Sequence, residues 1–202
     1  MPQSASYLIY ALAWFSFGFA HSLLAAPSIK AMLAPKLGAY YRLAYNIVAS
    51  LHVFAVWWLG KWLFMGSSSL LMPDWFQSGQ TVVGILGIFL LAMALKGYDL
   101  GLLAGTAQIR RHRMGLAEAP IEPLHTGGLH AYVRHPIYTG AYLILWGNAK
   151  DEFGLATAIL ASLYLLIGTA HEERYLIRIY GDDYQHYRTH VPAVIPWKGR
   201  AL

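Results

Sequence analysis

The sequence predicts an all-α integral membrane protein, with about five transmembrane helices and a cytoplasmic C-terminal amphipathic helix and tail. Three observations lead there. Hydrophobic residues make up 57% of the 202 positions and charged residues 12%, a skew that soluble domains rarely show. The apolar residues gather into five runs with polar connections between them, and the basic residues favour every second connection. We read residues 1–202 as one membrane domain. The formal charge of +5 comes from those connections, where anionic headgroups of the lipid bilayer are the simplest partner. No basic stripe interleaved with aromatics appears, so no nucleic acid is expected. The chain has no cysteine, which excludes disulfides, zinc–thiolate sites and a cysteine nucleophile.

The first run, about Tyr7 to Ala26, carries no Lys, Arg, Asp or Glu and is long enough to cross a ~30 Å hydrocarbon core. It lacks a basic start and reads as a span, not a cleaved leader. The second, about Leu43 to Met65, gathers Trp57, Trp58 and Trp62 toward its end, as an interfacial aromatic belt does. The third is expected over about Thr81 to Ala104. Lys96 and Asp99 would share one face of that helix and satisfy each other, and Gly97, Gly101 and Gly105 would let a neighbour approach closely. The fourth and fifth, about Ile137 to Asn148 and Phe153 to Ala170, read as a helical hairpin joined by the turn Ala149 to Glu152. The fourth is short for an independent span, which predicts tilting or shielding by neighbours.

Lys30, Lys36 and Arg42 follow the first run, Arg110, Arg111, Arg113 and Arg134 the third, and Arg174, Arg178 and Arg188 the fifth. The positive-inside rule then puts the N-terminus outside and these connections, with the tail, in the cytoplasm. We expect a bacterial inner membrane. This topology brings segments 125–140 and 171–196 to one side, as a single cytoplasm-facing site requires.

Segment 125–140 is the one polar, glycine-rich stretch lodged between long apolar runs. Arg134, His135 and Tyr138 supply a permanent cation, a proton carrier and a phenol within five positions, and are the catalytic candidates. Pro136 keeps Arg134 and His135 out of a helix and can open one itself, with Gly127 and Gly128 providing a turn before it. Free N–H groups at such a helix start can hold an anion. Glu172 and Glu173 follow the last apolar run, where either one of them turns toward a ligand ammonium or both are ordinary surface charge beside Arg174 and Arg178.

In the tail, Tyr180, Tyr184 and Tyr187 recur at helical spacing and form one face, either a lid or a headgroup anchor. His21, Asp99, Arg178, Tyr187 and Arg188 are further candidates for contact with substrate. His21, His52 and His135 could ligate a haem, but they show no local pair at i and i+4, and no metal site is expected.

The ordered set Val-Arg-His-Pro-Ile-Tyr-Thr-Gly140, preceded by His125-Thr-Gly-Gly-Leu-His-Ala-Tyr132 and followed by Glu172-Glu-Arg-Tyr-Leu176, Gly181-Asp-Asp-Tyr-Gln-His-Tyr187 and Val191-Pro-Ala-Val-Ile-Pro196, resembles the isoprenylcysteine carboxyl methyltransferase superfamily. The N-terminal half, through Phe19-Ala-His-Ser-Leu-Leu-Ala25, is similar to methanethiol S-methyltransferases and to NnrU and zeta-carotene isomerase-like proteins. Tyr98-Asp-Leu100 departs from the Phe-Asp-Leu-Phe-Gly pattern of the thiol enzymes.

The resemblance implies methyl transfer from S-adenosyl-L-methionine to a small or lipid-like acceptor, a thiol or an isoprenylcysteine-type carboxylate. A haem-binding isomerase-like protein is the alternative. It also implies a cofactor site of His125, Gly127, Gly128, Leu129, Tyr132, His135, Pro136, Tyr138, Gly140, Glu172 and Glu173. In it the glutamates would take the ammonium, Arg134 or the helix start the carboxylate, and Tyr138 or Tyr142 the sulfonium.

Overall fold

The computed structural model describes residues 2–117 and 120–198. In chain order it forms α1 (Gln3–Ala25), α2 (Pro27–Leu37), a 3-10 turn (Gly38–Tyr40), α3 (Tyr41–Leu63), α4 (Asp74–Leu95), α5 (Leu100–Ala104) and α6 (Thr106–Arg113). A second 3-10 turn (Gly128–Ala131) precedes α7 (Pro136–Gly147), α8 (Glu152–Tyr180) and α9 (Asp182–His190). Among the described residues, four helical segments are long and apolar enough to cross a membrane: Gln3–Ala25, Pro27–Leu63, Asp74–Leu95 and Glu152–Tyr180. The protein is an all-helical integral membrane protein. The fourth expected span, α7, has 12 residues and a length of about 18 Å, well short of the hydrocarbon core.

The chain divides into two compact units, the first comprising 1–66 and 98–121 and the second 67–97 and 122–202. In the first unit α1 packs on α3 through aromatic side chains. Tyr10 is fully buried, and its ring meets Phe64 edge-on at 5.8 Å. Pro27 holds Ala26 in the extended region and so separates α1 from α2. Trp58 and Trp62 lie exposed on α3, as lipid-facing residues do.

The third span differs from expectation at both ends. It starts at Asp74 and stops at Leu95, and after Lys96, Gly97 and Tyr98 the chain opens a new helix at Leu100. Asp99 therefore shares no helical face with Lys96; its side chain caps α5, accepting from Leu102 N–H at 2.9 Å. Gly105, at φ +98°, ends that helix in the left-handed region, and a Cβ there would lie 2.6 Å from Leu43 N. Arg42 Nε and Asn46 Nδ2 donate to the Leu103 carbonyl and so satisfy the end of α5.

In the second unit the close helix contact lies elsewhere than expected. Gly84 and Gly87 of α4 face Gly147 and Gly140 of α7, and the two backbones come into close contact there. This seam shields the short α7. A Cβ on Gly87 would stand 2.7 Å from Ile144 N and 2.8 Å from Gly140 O. Gly87→Ala is thus expected to lower stability by about 1–3 kcal/mol. A thermal melt in detergent matching wild type would refute the seam.

The hairpin forms as expected. Asp151 caps α8 by accepting from Gly154 N–H at 2.6 Å, and Tyr142 and Trp146 of α7 hydrogen-bond to Ser162 of α8. The last span, α8, runs past the expected end at Ala170 to Tyr180. At 29 residues, about 43 Å, it exceeds the hydrocarbon core. Glu172 and Glu173 thus lie in mid-helix, and the opposition to a terminal dipole disappears. Beyond Gly181, at φ +57°, α9 packs Tyr184, Tyr187 and the following Val191 into a small core with Leu124, Leu176, Ile177 and Tyr180. Tyr184 is 1% exposed, so this tyrosine face covers its own unit and does not rest on lipid.

Candidate functional site

The polar residues of the second unit converge where α7 begins and α8 emerges from its apolar length. Pro136 at the first position of α7 forces His135 into a non-helical conformation, φ −124° and ψ 68°, which turns its side chain away from the helix axis. The buried imidazole reaches both glutamates: Nε2 lies 3.3 Å from Glu173 Oε1 and Nδ1 3.5 Å from Glu172 Oε2. Its ring stacks on Tyr138 at 5.4 Å, nearly parallel. Burial pulls the His135 pKa down, but the two carboxylates outweigh it and the net shift is upward. The arrangement favours the imidazolium form, set between two carboxylates.

The glutamates have unequal surroundings. Glu173, with 12% side-chain exposure, accepts from Arg134 Nε at 2.9 Å and from Arg134 Nη2, and Arg188 Nε stands 3.5 Å from its other oxygen. Glu172 is 41% exposed, and its buried Oε2 has the 3.5 Å ion-pair contact with His135 but no hydrogen bond of ordinary geometry among the described residues. One carboxylate is structural and the other retains capacity for a ligand.

Arg134, 9% exposed, is more fully engaged than the sequence suggests. Besides Glu173 it donates to the carbonyls of Val191 and Arg188. Little of its five-donor fork remains for a ligand carboxylate. The segment after α9 completes the enclosure as an extended strap. Arg134 N–H donates to Pro192 O and His135 N–H to Ala193 O, both at 2.9 Å, while Thr139 Oγ1 donates to Val194 O at 2.9 Å. These backbone groups at the entrance to α7 are therefore not available to an anion. The strap's role was missed from sequence, although Val191-Pro-Ala-Val-Ile-Pro196, with prolines that bar a helix, signals an extended segment.

The remaining candidates fall as follows. Gly127 is extended and Gly128 adopts φ +59°, with open space where a Cβ would stand at both. Leu129 O closes the 3-10 turn by accepting from Tyr132 N–H, and Tyr132 is exposed. His125 meets the His130 ring edge-on at 5.1 Å. Pro136 is buried, and Gly140 faces Leu91 of α4, which makes it part of the helix seam. Tyr187 is buried with its hydroxyl donating to His130 O, and Arg178 lies over the Tyr175 ring. His21 and Asp99 belong to the first unit, where His21 Nε2 is 2.6 Å from Tyr45 Oη and Asp99 is the cap described above. His52, in the same unit, meets Ser16 at 3.2 Å.

His130 shows the opposite electrostatics to His135. Burial, reinforced by His125 and His135, pushes its pKa down to about 4. A histidine depressed in the folded state contributes stability that is present above its unfolded value of about 6.5 and lost as pH falls toward 4. About 3 kcal/mol should disappear across that window. Melting against pH in His130→Gln should lose this slope, and an unchanged slope would refute the assignment.

The fold and this polar cluster define a helical membrane protein whose charged groups gather at one end of a glycine-packed helix pair. Comparison with known proteins narrows the class. The chain is 31% identical over 160 residues to methanethiol S-methyltransferase 1 of Bradyrhizobium diazoefficiens, an alignment covering 78% of this chain and 55% of that protein. It is 27% identical over 197 residues to the methanethiol S-methyltransferase of Crocosphaera subtropica, covering 91% and 72%. A 77-residue stretch is 38% identical to the protein-S-isoprenylcysteine O-methyltransferase of Schizosaccharomyces pombe, covering 36% and 33%. No family model and no solved structure matches the chain. These relatives support the isoprenylcysteine carboxyl methyltransferase-like family for this chain, which spans about half the length of the first of them.

Proposed function

We propose that the protein is a membrane methyltransferase that uses S-adenosyl-L-methionine and methylates a small thiol. The observation carrying this reading is the inequality of the two glutamates: Glu173 is locked by Arg134, while the buried Oε2 of Glu172 has no hydrogen bond of ordinary geometry among the described residues. A ligand ammonium would satisfy that oxygen. The donor set suits an amino-acid zwitterion, because Arg188 is 43% exposed and stands 3.5 Å from Glu173 through Nε, with a guanidinium fork suited to a carboxylate. Arg188 thus takes the part that the sequence assigns to Arg134. Gly127 and Gly128 offer an open backbone surface, and Tyr138, held by stacking on His135, offers an aromatic face to a cation.

When bound, S-adenosylmethionine supplies an electrophilic methyl group on a sulfonium. The chain's task is alignment and exclusion of water, and the strap over the entrance of α7 supports both. A thiol acceptor is favoured over an isoprenylcysteine because the thiol-named relatives align over most of this chain and the isoprenylcysteine-named one over about a third. The bilayer is the proposed partner through which an apolar acceptor arrives. The inner membrane, with the site facing the cytoplasm and the N-terminus outside, is the proposed location, on the charge distribution alone.

The test is calorimetry of S-adenosylmethionine with detergent-purified protein, followed by a methyl-transfer assay on methanethiol and a farnesylcysteine analogue. Cofactor binding with transfer to the thiol supports the proposal. Transfer to the carboxylate alone would overturn the acceptor, and no binding at millimolar cofactor would overturn the reading.

A further inference from the structure

His186 and His190 stand four residues apart on α9, about 40° from each other around the helix, and both are exposed. The rings of His186 and His190 lie 4.4 Å apart between centroids, a spacing at which one ion can bridge two imidazoles.

Hydrogen bonding fixes which nitrogen of His190 is available. Nδ1 lies 2.9 Å from the carbonyl oxygen of His186, which can only accept, so Nδ1 carries the proton. Thr189 Oγ1 also lies 2.9 Å from that nitrogen, while its own hydroxyl donates to the same carbonyl at 2.7 Å. Nε2 of His190 is left as the basic nitrogen. This is the orientation that an N–H to carbonyl bond imposes on metal-ligating histidines.

The surroundings favour a cation on balance. The helix C-terminus carries partial negative charge, and Asp182 lies one turn before His186 on the same row, with Asp183 beside it. The nearby cation is Lys198, whose ammonium is held by Thr189 O at 2.8 Å. Arg188 lies about 160° around the helix from both imidazoles, so the pair is separate from the contact with Glu173.

We propose that His186 and His190 form a two-imidazole site on α9 for a divalent first-row transition ion, Cu2+ or Zn2+, with water completing the shell. Two neutral imidazoles suit these ions over Mg2+ or Ca2+, which take oxygen ligands. Binding clips two turns of a nine-residue helix and stabilises the packed Tyr184–Tyr187 face.

The test uses full-length protein purified without a polyhistidine tag, titrated with Zn2+ alone by calorimetry and with Cu2+ by electron paramagnetic resonance. Wild type is expected to take up one ion per chain with two-nitrogen hyperfine structure on copper and a melting temperature that rises with metal. His186→Gln and His190→Gln should each weaken binding at least about tenfold, with unchanged metal-free melting and S-adenosylmethionine binding. A double variant that binds like wild type, or copper spectra unaffected by the substitutions, would overturn the assignment.

Discussion

Replacing Arg134 with Ala is expected to release the C-terminal strap and destabilise the second unit by about 3–5 kcal/mol, the usual cost of removing one partner from a buried ion pair. Two losses combine. Glu173, 12% exposed, keeps only His135 and a 3.5 Å contact with Arg188, and the carbonyls of Arg188 and Val191 lose their shared donor. Arg134→Lys restores the charge but not the fork and should recover part of the loss. Arg134→Ala combined with Glu173→Gln should cost less than the sum of the single changes, because the neutral amide no longer leaves a charge buried. The measurements are a detergent melt, where a fall of about 10 °C is expected, and limited proteolysis of 181–198. Wild-type melting together with a protected tail would show that the strap is held by other means.

Glu172→Gln should have the second large effect and the opposite character. Its side chain is 41% exposed and is not part of the Arg134 pair, so melting should change little. S-Adenosylmethionine affinity should fall by about 2–5 kcal/mol, at least about 30-fold in Kd, the cost of neutralising one side of a partly desolvated ammonium–carboxylate pair. Glu173→Gln should instead lower stability first and binding through it. If both variants lost affinity equally at unchanged melting, the division between a structural and a ligand-facing glutamate would be wrong.

The same contrast separates what patterns reveal from what they miss. The long apolar runs and the Pro136 stop define α1, α3, the α7–α8 hairpin and the polar entrance, because burial in lipid and the geometry of proline act locally along the chain. The third run ends early for a local reason too: mean hydropathy continues through Lys96 to Ala104, but Gly97 and the capping side chain of Asp99 break the helix. The glycine seam between Gly87 and Gly140 was invisible because it depends on which two helices meet.

The sequence by itself determined the membrane class and the residues Arg134, His135, Tyr138, Glu172 and Glu173 as one polar set, since composition and ordered motifs are properties of the chain. Only the tertiary structure decided how their charges are shared. Three cations and two carboxylates can pair in several ways, and the choice depends on where the strap after Val191 returns across the start of α7. That return directs Arg134 to Glu173 and to backbone carbonyls, wedges His135 between the two acids, and leaves Glu172 the more weakly held of the two. Hydrogen-bond capacity is finite and directional, so the partner assigned to each donor is settled by packing and not by residue type.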